Sequence, residues 1–191
     1  MEHPPVRADG KMESTITHLE MSAPPEVLPL PPPRDGLDIE QAVRPTVSFY
    51  RYLYDTIGED WLWGDRRKLD DAALAAIVQH PAVEVYVLWV HGVPAGYAEL
   101  DGRIPGEIEL AYFGLVPEFI GRKLGPYLLD WAIRTAWARD PRRLWVHTCS
   151  HDHPGALAMY ERAGFRIFKR ETVIEDDPRA LGLFQPKPRA M

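Results

Sequence analysis

Apolar and polar positions change period several times along the chain, and each change predicts an element. Thr15 to Met21 (TITHLEM) alternates and predicts a strand. Residues 22–36 (SAPPEVLPLPPPRDG) hold three successive prolines, which impose polyproline II and exclude helix or central strand, so a surface connector is expected. Residues 46–57 (TVSFYRYLYDTI) place aromatic and aliphatic side chains at helical spacing after a Thr46 cap, with Gly58 as the stop. Trp61 to Arg67 reads as an aromatic and charged loop. Residues 70–80 predict a second helix, capped by Asp70 and followed by Pro81. A hairpin follows: strand Glu84–His91, turn Gly92-Val93-Pro94, strand Ala95–Asp101. Glu107–Val116 is the fourth predicted strand. Leu124–Arg139 carries a helical stripe of Leu128, Trp131, Ala132, Thr135 and Ala136. Arg143–Ser150 predicts a fifth strand, Gly155–Ala163 a short helix ended by Gly164, and Arg166–Ile174 a last strand. The order β, α, α, β, β, β, α, β, α, β predicts one layered α/β domain over 15–174, between tails at 1–14 and 175–191.

Composition narrows the class. A chain of 191 residues with 46% hydrophobic and 26% charged residues suits one globular domain. Nine of its 19 prolines fall in the first 45 residues, which marks a stiff N-terminal segment. No apolar run approaches a membrane span, and the N-terminus lacks the apolar core of a secretory signal, so a cytoplasmic protein is expected. One cysteine, Cys149, excludes a disulfide framework and a multi-cysteine zinc site. The balance of 22 Lys+Arg against 28 Asp+Glu gives −6, a poor general nucleic-acid binder. An acidic balance suits a cationic substrate such as an amine, but solubility alone accounts for the net charge by itself. His147, His151 and His153 cluster near the fifth strand's end, but no thiolates join them and no metal is expected.

The informative stretch is strand, loop and helix over residues 107–139. Pro117 ends the strand, and Glu118 to Pro126 lead into the helix. A glycine-bearing loop before a helix presents unpaired N–H groups to a phosphate, with the helix dipole behind them. Arg122 and Lys123 add positive charge there. A capped surface helix would look similar. The second motif, HPGALAMYERAGF at 153–165, follows the next strand.

Together these stretches resemble the GNAT superfamily of acyl-CoA-dependent N-acetyltransferases. The resemblance implies a mixed, mostly antiparallel central sheet with flanking helices and a splay between strands four and five. It also implies acetyl-CoA as co-substrate. The family's pyrophosphate loop, Q/R-x-x-G-x-G/A, falls on Ile120, Gly121, Arg122, Lys123, Leu124 and Gly125. Gly125 matches. Ile120 replaces a polar residue, and Lys123 stands where a glycine is usual, at a position that calls for positive φ. Phe113, Gly114 and Leu115 occupy the family's splay, where Gly114 fits a bulge or a close backbone approach. The resemblance assigns the Phe113 amide to the oxyanion, Tyr160 to protonation of the leaving thiolate, and Glu109 to the base, directly or through water. Glu107 shares the Glu109 face, and Glu99 is a further candidate. His153 takes the place of an Asn that contacts CoA, or caps the helix with Asp152.

Trp63, Glu107 and Tyr112 are the expected acceptor contacts, with Trp61 and Trp89 as further walls. The acceptor is a small-molecule or peptide amine, with no nucleic-acid or membrane partner, and exposed strand edges leave a homodimer open. The alternative is a non-catalytic acyl-CoA sensor or interaction module.

Overall fold

A computed structural model describes residues 6–184. The outermost parts of the two expected tails, 1–5 and 185–191, lie outside the described residues. The elements are β1 (Lys11–Met21), β2 (Leu37–Gln41), α1 (Val47–Gly58), α2 (Asp71–Val78), β3 (Val83–Val90), β4 (Val93–Asp101), β5 (Glu107–Leu115), α3 (Leu124–Trp137), β6 (Arg143–Cys149), α4 (Ala156–Arg162) and β7 (Arg166–Asp176). A single 3₁₀ turn, Pro117–Phe119, joins β5 to the loop before α3.

The strands form one sheet in the order β2-β3-β4-β5-β6-β1-β7. Every neighbouring pair is antiparallel except β5 and β6. Those two run parallel and pair only through Glu107–Glu109 against Arg143–Trp145, after which they part. This is the mixed, mostly antiparallel, splayed sheet that the resemblance implied. It has seven strands where the pattern predicted six. The additional one is β2, whose five residues LDIEQ were masked by the prolines just before them.

Local chemistry explains the helix starts. Thr46 Oγ1 accepts the Phe49 amide, and Asp70 Oδ1 accepts the Ala73 amide at 2.8 Å. One turn expectation is corrected. The hairpin turns on His91-Gly92, both at positive φ (49° and 80°), so β4 begins at Val93. α1 ends at Gly58 as expected, without a positive φ there, and a Cβ at that position would lie 2.6 Å from Cβ of Trp63. The glycine is the seat of that tryptophan.

Each sheet face has its own core. Tyr50, Leu53, Tyr54 and Ile57 form the buried stripe of α1 against Val85, Val87 and Tyr97. Leu124, Leu128, Leu129, Ala132 and Ile133 of α3 pack the other face with Leu88, Leu100, Leu110 and Val146. Each such leucine contributes roughly 1.5–3 kcal/mol by leaving water. Residues 22–36 form no helix or strand and lie along α3. Leu30 N donates to Asp130 Oδ2 (3.0 Å), and Arg134 donates to the Val27 carbonyl (2.8 Å).

Candidate active site

The parting of β5 from β6 opens a cleft of about 550 Å³, within the usual range for small-molecule sites. It runs from the loop before α3, between β5 and α4, to the 61–65 loop and the ends of β6 and β7.

β5 supplies amides to this opening. The Val116 amide bonds the Ala95 carbonyl across to β4 at 2.9 Å. Amide directions alternate along a strand, and Gly114 opposes Tyr97 in the same register, so the Phe113 and Leu115 N–H groups point away from β4. That is the edge β6 has left. The bulge lies earlier than expected: Glu99 opposes Tyr112 and Leu100 opposes Leu110, which leaves Ala111 as the extra residue. Gly114 instead serves a close approach, because a Cβ there would sit 2.4 Å from Cγ2 of Ile57 on α1.

The loop before α3 is shaped for an anion. Gly121 (φ 80°) and Lys123 (φ 61°) are both left-handed, and no side chain caps α3. The first α3 amides therefore remain available, with the positive end of the helix dipole behind them. Lys123 adopts the positive φ that its place in the motif called for. Ile120, Gly121, Lys123, Leu124 and Gly125 line the cleft. Arg122 does not, and its guanidinium lies 5.1 Å from the Phe119 ring centroid. An uncapped helix start, two freed strand amides and an elongated cavity between them fit the diphosphate and pantetheine arm of CoA.

α4 brings Tyr160 beside Phe113, ring centroids 6.3 Å apart. Burial pushes the Tyr160 hydroxyl well above its ordinary pKa, so the phenol stays protonated. His153 turns Nδ1 to the Gly155 amide (2.9 Å) and sets its ring against Trp61, centroids 5.3 Å apart.

Trp63, Tyr54 and Tyr112 form one aromatic wall, with Trp63 5.3 Å from Tyr112 and 5.5 Å from Tyr54. Trp89 is not part of it and stacks on Phe49. Behind the wall, Glu99 is fully buried and bound by Arg66 (2.7 Å) and the Tyr50 hydroxyl. Burial pushes the Glu99 carboxyl up, and Arg66 and Tyr50 pull it back. Cys149 lines the cleft with its thiol pushed up to about 12 by burial, which suits packing rather than nucleophilic attack.

The carboxylates of β5 sort differently from the expectation. Glu107 is held by Arg143 at 2.7 Å and does not line the cleft. Glu109 does not line it either, but bonds Nδ1 of His147 at 2.9 Å, and the His147 ring does line it. Sequence reading passed over that role for His147. The signal lay in the parallel register, which sets Glu109 beside Trp145 and brings His147 to the point where the strands part. Met12, Ile16, Glu175 and Pro178 at the far end were also missed. They meet only because β7 runs on to Asp176 and the chain after it folds back, with Arg67 donating to the Leu183 carbonyl.

Among the described residues no three His, Cys, Asp or Glu side chains converge as metal ligands, and no helix is long and apolar enough to cross a membrane.

Comparison with known proteins bears on the family and the fold. The model of the acetyltransferase (GNAT) family matches residues 48–165. The mycothiol acetyltransferase of Acidothermus cellulolyticus is 39% identical over 71 residues, 37% of this chain and 20% of that enzyme. The match thus spans a fifth of that relative's length. A GCN5-related N-acetyltransferase from Sphaerobacter thermophilus shares the fold with a TM-score of 0.62 at 17% identity, over 87% of this chain and 52% of that one. AAC(6')-Iy, solved with a CoA-S-monomethyl-acetylneamine bisubstrate analog, shares it with a TM-score of 0.52 at 22% identity, over 71% and 97% of the two chains.

Proposed function

Because the chain belongs to the GNAT family of acetyltransferases, we propose that it moves an acetyl group from acetyl-CoA to a primary amine by direct attack in a ternary complex. One observation carries this reading. The freed Phe113 amide faces the opening that Tyr160 borders, in a cleft that ends on the uncapped α3.

In this reading the α3 amides and Lys123 bind the CoA diphosphate, and Leu115 guides the pantetheine arm. The Phe113 N–H meets the thioester oxygen, where negative charge grows as the amine attacks. Tyr160 gives its proton to the leaving thiolate, a role that a neutral phenol can fill across the physiological range. The ammonium form of the acceptor loses its proton on the Glu109 side of the cleft mouth. Trp63 and Tyr112 form the apolar wall of the acceptor end, open to a small-molecule or peptide amine.

Calorimetry with acetyl-CoA, joined to a free-CoA release assay over an amine panel, tests the reading. Binding with turnover is the expected result. Ile120 in place of a polar residue and Lys123 in place of a glycine are departures in the loop that favour a second reading, an acyl-CoA sensor. Binding with no turnover on any amine would support that sensor.

A further inference from the structure

We infer that His147 is the group that takes the proton from the acceptor amine, and that Glu109 acts through it as a positioning residue. This inference rests on the acetyl-transfer reading and names its base.

The placement comes from the sheet. β5 and β6 are parallel and in register at Glu109 and Trp145, so continued pairing would set His147 beside the bulged Ala111. That is where the strands have begun to part, and the imidazole stands at the mouth of the opening. The Phe113 amide lies two residues further along β5, about 7 Å of strand. An amine that touches His147 is therefore within reach of a carbonyl held at Phe113.

The hydrogen bond sets the chemistry. A carboxylate only accepts, so Nδ1 of His147 carries the proton shared with Glu109 Oε1 at 2.9 Å. The neutral ring then has its lone pair on Nε2. Among the described residues Nε2 has no hydrogen-bond partner, and the side chain, which lines the cleft, is 43% exposed. Glu109 itself is only 19% exposed and turned to the histidine, so its path to an amine passes through the ring.

The surrounding charges agree. Glu109 faces the ring from β5. The His18 ring lies beside it on β1, centroids 5.9 Å apart, and is itself bound to Glu171 of β7, which Lys169 also contacts. Trp145 flanks it on β6, with Arg143 beyond, tied to Glu20 and Glu107. Asp152 after β6 and Asp65 of the α1–α2 loop act on it from the cleft side. The hydrogen bond to Glu109 raises the His147 pKa above the ordinary value of 6.5, burial opposes it, and the carboxylates add to the rise. A stronger base results.

The step balances. An ammonium proton passes to Nε2, and the freed lone pair forms the N–C bond at the thioester carbonyl. The C–S bond breaks with its pair on sulfur, which takes the Tyr160 proton. The second proton shed by the nitrogen restores Tyr160, and His147 releases its proton to water.

Two measurements on the full chain decide the matter. Histidine ¹⁵N NMR reads the tautomer and titration of His147. CoA release with ethanolamine, putrescine, tyramine, lysine ethyl ester and hydrazine reads kcat against pH. The expected results are a neutral Nδ1–H ring and a Glu109→Gln variant in which both the ring pKa and the acidic limb of kcat move to lower pH. His147→Gln loses that limb and about a hundredfold or more of kcat at neutral pH, with acetyl-CoA affinity unchanged. Added imidazole restores turnover to His147→Gly. A neutral His147 with its proton on Nε2, or a His147→Gln enzyme with the wild-type kcat and limb, overturns the inference. No turnover of any amine by the wild type contradicts the acetyl-transfer reading instead, and the tautomer still decides where the lone pair points.

Discussion

Trp63 Nε1 donates to Asp152 Oδ1 at 3.1 Å, joining the α1–α2 loop to the β6–α4 loop across the cleft. The other oxygen of the same carboxylate accepts from Thr148 Oγ1 (2.7 Å) and the Cys149 amide (2.8 Å). Asp152→Ala abandons three donors at once. It is expected to cost about 3 kcal/mol, since hydrogen bonds to charged groups carry roughly 1.5–3 kcal/mol each and water replaces part of them. Urea unfolding measures the loss, and Asp152→Asn, which keeps part of the network, falls between.

Behind the aromatic wall the Arg66–Glu99 pair behaves as a buried ion pair. Arg66→Met leaves a carboxylate uncompensated in the core and is expected to cost about 3–5 kcal/mol. The double variant Arg66→Met, Glu99→Leu removes the stranded charge and recovers most of that loss. A denaturation cycle over the four proteins gives the coupling, and additive losses would mean the pair is not coupled.

Gly114 is the point where α1 presses on β5. Gly114→Ala drives a methyl into Ile57 and is expected to cost about 1–3 kcal/mol. Shortening the opposing side chain, as in Gly114→Ala with Ile57→Val, recovers part of it. Thermal unfolding of the two variants checks this.

The Glu109–His147 bond also has a signature in stability. Its folded-state pKa is raised, so its contribution is present in full below the unfolded value of 6.5 and is lost as pH rises through the folded value. The Tm difference between wild type and Glu109→Gln is therefore expected to be larger near pH ~5.5 than near pH ~8.5. A difference that grows with pH would contradict the bond as described.

Much of this site was legible before any coordinates. The glycine-bearing loop before α3 follows from local spacing, which chain chemistry enforces within a few residues, and the positive φ at Lys123 and the place of Tyr160 came through the resemblance. The strand amides freed at Phe113 were legible as well, through the resemblance. What stayed hidden depends on register. The bulge at Ala111 instead of Gly114 is set by how β5 matches β4. The meeting of Glu109 with His147 is set by three residues of parallel pairing. β2 escaped notice because its strand is short and follows a proline run, and only its partner β3 makes it a strand.

The central claim, acetyl transfer with Tyr160 at the leaving sulfur, is tested most directly by one comparison. CoA release and the acetylated amine are followed for wild type and Tyr160→Phe at saturating acetyl-CoA. The account predicts turnover by the wild type and a loss of about a hundredfold in kcat for the variant, with acetyl-CoA affinity unchanged. Equal kcat in the two proteins would contradict it.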